Sequence, residues 1–135
     1  MKEQAGVHMP CIVLARPGLM RNALQAFLRD IPELRVAAMA ATCAEARSAI
    51  RQFQARLLVA DMDVSETEVL ALVRQLAAEQ PALRVIVLAE SIAQQQAALQ
   101  AGAHDAALKG FLGAPLRDAL IRGMRDSESA TTNKE

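Results

Sequence analysis

The sequence predicts a three-layer α/β sandwich on a single parallel sheet of five strands. Three observations predict it. Short apolar runs and helical patterns alternate, strand then helix, five times. The runs are apolar throughout, as in parallel strands covered on both faces. Three capping boxes fall where the alternation needs a helix to begin, so local and global signals agree.

Cys11 to Leu14 reads as the first strand, followed by a Pro17-Gly18 turn. Leu19, Met20, Ala23, Leu24, Phe27 and Leu28 then recur at helical spacing, until Pro32 stops the helix. Leu34 to Met39 is the second strand, interrupted by Arg35. Thr42 and Glu45 form the first capping box: the Thr hydroxyl takes an orphan amide and the Glu reaches back to the cap amide. Its helix runs through Ala46, Ala49, Ile50 and Phe53.

Leu57 to Ala60 is the third strand, and Asp61 follows directly. Ser65 and Glu68 cap the next helix, with Val69, Leu72, Val73 and Leu76 as its buried stripe. Pro81 precedes the fourth strand, Val85 to Leu88. Ser91 and Gln94 cap the helix behind it, which ends at Gly102, a natural residue just past a helix end. Ala106 to Leu108 is a short fifth strand. Pro115 suits the first position of the last helix, which carries Leu116, Ala119, Leu120 and Met124. Residues 1–9 read as a loose leader, 10–125 as one folded domain, and 126–135 as a polar tail or the start of a linker.

Right-handed crossovers leave few topologies for such a chain. The flavodoxin-like order 2-1-3-4-5 is the common one for five strands. It brings Ala15-Arg16, Asp61, Ala89 and Lys109 to the carboxyl edge of the sheet, where ligands and chemistry collect. The expected pocket holds one carboxylate and two cations, with no second acid.

Composition excludes several classes of function. The 135 residues include 15 basic and 15 acidic side chains and a formal net charge of zero, which argues against a nucleic-acid footprint. Aromatics are only 2%, namely Phe27, Phe53 and Phe111, too few for a base-stacking platform. Cys11 and Cys43 read as buried thiols in a reducing cytosol, without metal-ligand spacing. No stretch resembles a secretory signal or a membrane span, so a cytoplasmic location is expected.

Three stretches carry a family resemblance. They are Arg56-Leu57-Leu58-Val59-Ala60-Asp61, then Val85-Ile86-Val87-Leu88, then the run from Ala98 through Ala101-Gly102-Ala103 to Leu108-Lys109. Over about residues 11–125 the chain resembles a response-regulator receiver domain of the CheY-like superfamily, in particular the receivers of LuxR/NarL-type regulators. The resemblance implies that Asp61 matches the phosphoacceptor and Lys109 its pocket partner. Other family positions are changed. The acidic pair that holds Mg²⁺ matches Ala15 and Arg16, the hydroxyl residue ending strand four matches Ala89, and the switch aromatic of strand five matches Ala106.

The sequence is therefore similar to a degenerate receiver, or pseudo-receiver. Phosphoryl transfer to a carboxylate depends on charge neutralisation, usually by Mg²⁺. An Arg in place of the second acid repels a divalent ion, so Mg²⁺ binding is expected to be lost or weak, with no other cofactor. Arg16 can fork onto Asp61 in the metal's stead. Alternatively it points into solvent and Asp61 pairs with Lys109 alone. Glu90 competes for the same guanidinium. Asp63 reads as a leftover loop acid or a turn cap, His104 as a surface turn residue, and Met20, Met39 and Met124 as core filler.

The leading expectation is a non-enzymatic signalling module that regulates transcription through a partner or an absent output domain. Its partners would be a histidine kinase, an output module, or a second copy docked on the helix 4–strand 5–helix 5 face, where Gln94, Gln95, Gln96 and Gln100 make an uncharged surface. Direct nucleic-acid contact by this segment and membrane association are not expected. Two alternatives are an ordinary phosphorelay receiver phosphorylated on Asp61 and a small-ligand sensor using the sheet-edge crevice.

Overall fold

The computed structural model describes residues 8–109, 113 and 116–122. In chain order the elements are β1 (Met9–Leu14), α1 (Leu19–Arg29), β2 (Leu34–Ala40), α2 (Cys43–Phe53), β3 (Leu57–Asp61), a 3-10 turn (Met62–Val64), α3 (Glu66–Glu79), β4 (Arg84–Ala89), α4 (Ile92–Ala101) and β5 (Asp105–Leu108). Residues 116–122 are helical and are called α5. All strand pairs are parallel and the order is β2-β1-β3-β4-β5.

Successive side chains of a strand point to opposite faces, and the two cores follow that rule. Ile12, Leu14, Leu58, Ala60, Val85 and Val87 pack under α2, α3 and α4, beside Ile50, Leu72 and Ala98. Cys11, Val13, Leu57, Val59, Ile86 and Leu88 pack on the other side, beside Leu24 and Leu28 of α1 and Leu116 and Leu120 of α5. Both faces of the central strands are thus dry, which is why their sequences lack polar alternation.

Every strand differs from the sequence reading at one end or both; β3 ends one residue late, at Asp61, and β4 gains one residue at each end, running from Arg84 to Ala89. β1 starts at Met9, two residues before the expected Cys11, and so takes the last residue of the expected leader and runs through Pro10. Met9 and Pro10 pair with β2, whereas pairing with β3 begins at Cys11. A proline is tolerated at such a one-sided start of a ladder, and its carbonyl still accepts from Arg56 N at 3.0 Å. β2 extends to Ala40. It also bulges: Cys11 faces Val36 and Ile12 faces Ala38, which leaves Ala37 as the extra residue. β5 begins at Asp105, one residue early.

The predicted helix starts hold. Thr42, Ser65 and Ser91 accept from the N–H of Glu45, Glu68 and Gln94 at 3.1, 3.3 and 3.1 Å. The return arm of the first box lands one residue early, with Glu45 Oε1 accepting from Ala41 N at 2.8 Å. Gly102 ends α4 with φ 120°, and a Cβ there would lie 2.8 Å from Ala77 Cβ, so a glycine is required twice over. The expected face of α1 is only partly buried: Leu24 and Leu28 are covered, while Ala23 is exposed and Leu19 is 88% exposed. Met20 and Met39 pack partly buried against the core as expected. Cys11 is buried and Cys43 half-buried, and both are free thiols. Met124, Pro115, Phe111 and the tail boundary lie outside the described residues.

Candidate functional site

β3 delivers Asp61 to the carboxyl edge as its last residue, paired in register with Leu88 of β4. Among the described residues it is the one buried charged residue, 4% exposed. Its Oδ1 accepts from Asp63 N at 2.9 Å, which caps the 3-10 turn. The same oxygen lies 2.6 Å from Lys109 Nζ, which arrives from just beyond β5.

Lys109 does more than pair with Asp61. Its Nζ also lies 2.8 Å from Asp63 Oδ2 and 3.4 Å from Glu90 Oε2. The ammonium therefore faces three carboxylates, brought by the end of β3, the turn behind it and the residue after β4. The expectation of one carboxylate and no second acid is corrected here. Asp63 is more than a leftover loop acid, because its carboxylate meets the ammonium. The signal available in the sequence was position, since Asp63 and Glu90 lie one or two residues past strand ends on the same edge.

The electrostatics follow the geometry. Burial works against the Lys109 ammonium, but the hydrogen bonds it donates to Asp61 and Asp63 outweigh that and raise its pKa above the ordinary lysine range. The Asp63 carboxyl is held below its usual range, first by the hydrogen bond from Lys109 and further by the charges of Lys109 and Arg16.

The fork of Arg16 onto Asp61 is not what the structure shows. Arg16 is exposed, and its Nη2 donates to the Val64 carbonyl at 3.0 Å. This ties the turn after β1 to the turn after β3 across the mouth of the site. Glu90 pairs with Lys109 rather than with Arg16. No side-chain pattern signals a backbone acceptor, so this contact was not readable from sequence. Ala15 and Ala89 are both fully buried beside the site, and neither carries a group that can bind an ion or a phosphoryl oxygen.

On β5, Ala106 is half-buried and its carbonyl accepts from Gln95 Nε2 at 2.7 Å. Beside it runs a groove of about 290 Å³, lined by Gln95, Asp105, Leu108, Asp118 and Arg122 among others. His104 is exposed at a bend, as expected, and its Nδ1 accepts from Val85 N at 3.0 Å.

A doubly wound sheet of this order, with an acid ending β3 and a lysine just beyond β5, defines an α/β module whose site lies at the carboxyl edge. The family model described as the response regulator receiver domain matches residues 17–121. The chain belongs to this family, and so to two-component signal transduction. A comparison with curated proteins finds no match.

Solved structures share the fold. A LuxR-family two-component response regulator from Aurantimonas sp. superposes with a TM-score of 0.79 at 19% identity, over 88% of this chain and 86% of that one. The NarL receiver domain from Mycobacterium tuberculosis gives 0.76 at 18%, over 87% and 97%. The isolated receiver of RcsB from Salmonella enterica serovar Typhimurium, studied with a beryllofluoride phosphomimetic, gives 0.74 at 18%, over 84% and 86%. Among the described residues no helix is long and apolar enough to cross a membrane.

Proposed function

We propose that this receiver works as an interaction module without conventional Mg²⁺-dependent phosphorylation. The observation that carries the reading is at the two positions that match the family's acidic pair: Ala15 is buried and offers no ligand, and the Arg16 guanidinium donates to the Val64 carbonyl at 3.0 Å across the mouth of the site. Mg²⁺ wants oxygen ligands in octahedral array, normally with one or two carboxylates. Here the positions matching the family's acidic pair hold Ala15 and Arg16, and the acids that remain are compensated by Lys109. The residues therefore fit Mg²⁺ poorly.

The reading extends to partners and output. A structure of RcsB from Salmonella enterica serovar Typhimurium is described bound to a promoter, and this chain superposes on 66% of that chain. By that likeness, this receiver would act in transcription control through an output module or a protein partner, in the cytoplasm, without touching nucleic acid itself. The face made by α4, β5 and α5 is the proposed contact surface for a second copy, since α4 carries no charged residue. Its Ala106 offers no aromatic switch, so such a contact would not follow phosphorylation.

The test is incubation with Mg²⁺ and acetyl phosphate, followed by intact mass. The expected result is no added phosphate. Stoichiometric labelling that disappears in Asp61→Asn would overturn the reading in favour of an ordinary phosphorelay receiver.

A further inference from the structure

The first turn of α4 buries no side chain. Ile92 is 62% exposed, and the first buried side chain of the helix is Ala98, in its second turn. Around that turn four clips converge. Glu90 Oε2 lies 3.4 Å from Lys109 Nζ. The Glu90 N–H donates to Gln94 Oε1 at 2.8 Å. Gln94 Nε2 donates to Glu66 Oε1 of α3 at 3.2 Å. Gln95 Nε2 donates to the Ala106 carbonyl of β5 at 2.7 Å. The segment is thus tied to β5, to the residue beyond it and to the start of α3.

An ammonium has three N–H donors and no acceptor. Lys109 meets three carboxylates, Asp61 and Asp63 from the end of β3 and the turn directly behind it, and Glu90 from just beyond β4. We propose that the Lys109 ammonium acts as a built-in cation that pins the β4–α4 segment through Glu90, so that the outer face of α4 is presented in one position without a metal ion or a phosphoryl group. The proposal rests on the metal-independent reading above. Glu90 is then a positioning residue: it acts on α4 and its surface through Lys109, and it contacts nothing that reacts.

The test is amide hydrogen exchange on the full chain, followed at residues 90–96. Glu90→Ala removes one partially exposed ion pair, so exchange there is expected to rise about two- to fivefold, with Cys11–Leu14 and Leu57–Ala60 unchanged. Gln96→Ala, exposed on the same helix, is expected to exchange like the wild type. Exchange in Glu90→Ala equal to that of the wild type would overturn the pin. In a separate arm, wild-type protein with Mg²⁺ and beryllofluoride is expected to show unchanged exchange at 90–96. Slowing there would overturn the metal-independent reading, while the Glu90→Ala result would still decide the pin on its own.

Discussion

Lys109 Nζ and Asp61 Oδ1 stand 2.6 Å apart, closing a link between the ends of β5 and β3 across the intervening β4. Both side chains are largely buried, 12% and 6% exposed. Their attraction is screened much less than that of a surface pair, and each partner depends on the other for compensation.

Removing the two partners should therefore cost different amounts. Lys109→Met leaves Asp61 buried beside two further acids and should destabilise the fold by about 3–5 kcal/mol. Asp61→Asn leaves the ammonium with Asp63 and Glu90 and should cost only about 1 kcal/mol. Urea unfolding of both variants checks the ratio. Equal losses would mean that the two side chains are not asymmetrically placed.

Asp63 gives the site an acid-side signature. Its folded-state carboxyl is held below the ordinary carboxylate range, so its contribution is present within that range and above, and fades as pH falls through the lowered value. Lys109 is raised above 10.5, so its contribution is present below that value and fades as pH climbs through the raised one. Melting temperature should be flat between these limits. Below about pH 4 it should fall less steeply in Asp63→Asn than in the wild type; parallel curves would remove Asp63 from the site's charge balance.

The groove beside Ala106 has room for a ring. Ala106→Phe should change stability by less than about 1 kcal/mol, because the added side chain enters open space rather than a filled core. Thermal unfolding measures this, and a loss above about 2 kcal/mol would show that the groove cannot take it.

Gly102 is constrained by both conformation and contact. Gly102→Ala places a Cβ 2.8 Å from Ala77 Cβ at φ 120°, and should cost about 1–3 kcal/mol. Ala77→Gly alone costs about 1 kcal/mol as a helix-interior glycine, so the contact part is read as the coupling in the double-mutant cycle. Zero coupling would assign the whole cost of Gly102→Ala to the backbone.

What the sequence made legible is what short-range physics decides. The Thr42, Ser65 and Ser91 caps, the apolar runs and Gly102 each depend on a few neighbouring residues, and each stands where expected. The strand order followed from handedness. The site was half legible: Asp61 and Lys109 meet as the topology implies. Arg16 and Glu90 chose partners on other loops, and their long side chains are placed by tertiary contacts that no local pattern encodes. Leu19 kept helical spacing yet stays in solvent, because the spacing of a stripe does not reveal where the sheet beneath it ends. Pro10 entered a strand because the ladder there is still one-sided.

The placement of β1 between β2 and β3 has a consequence for how the chain is made. Within this domain Cys11 to Leu14 leave the ribosome before the other strands, yet their second neighbour is 46 residues behind, Cys11 pairing with Leu57. Until Leu57 to Ala60 emerge, that strand has one bare edge and two greasy faces. Synthesis should therefore pass through a window, between the emergence of β2 and that of β3, in which the nascent chain is most exposed to chaperone capture and to misassembly.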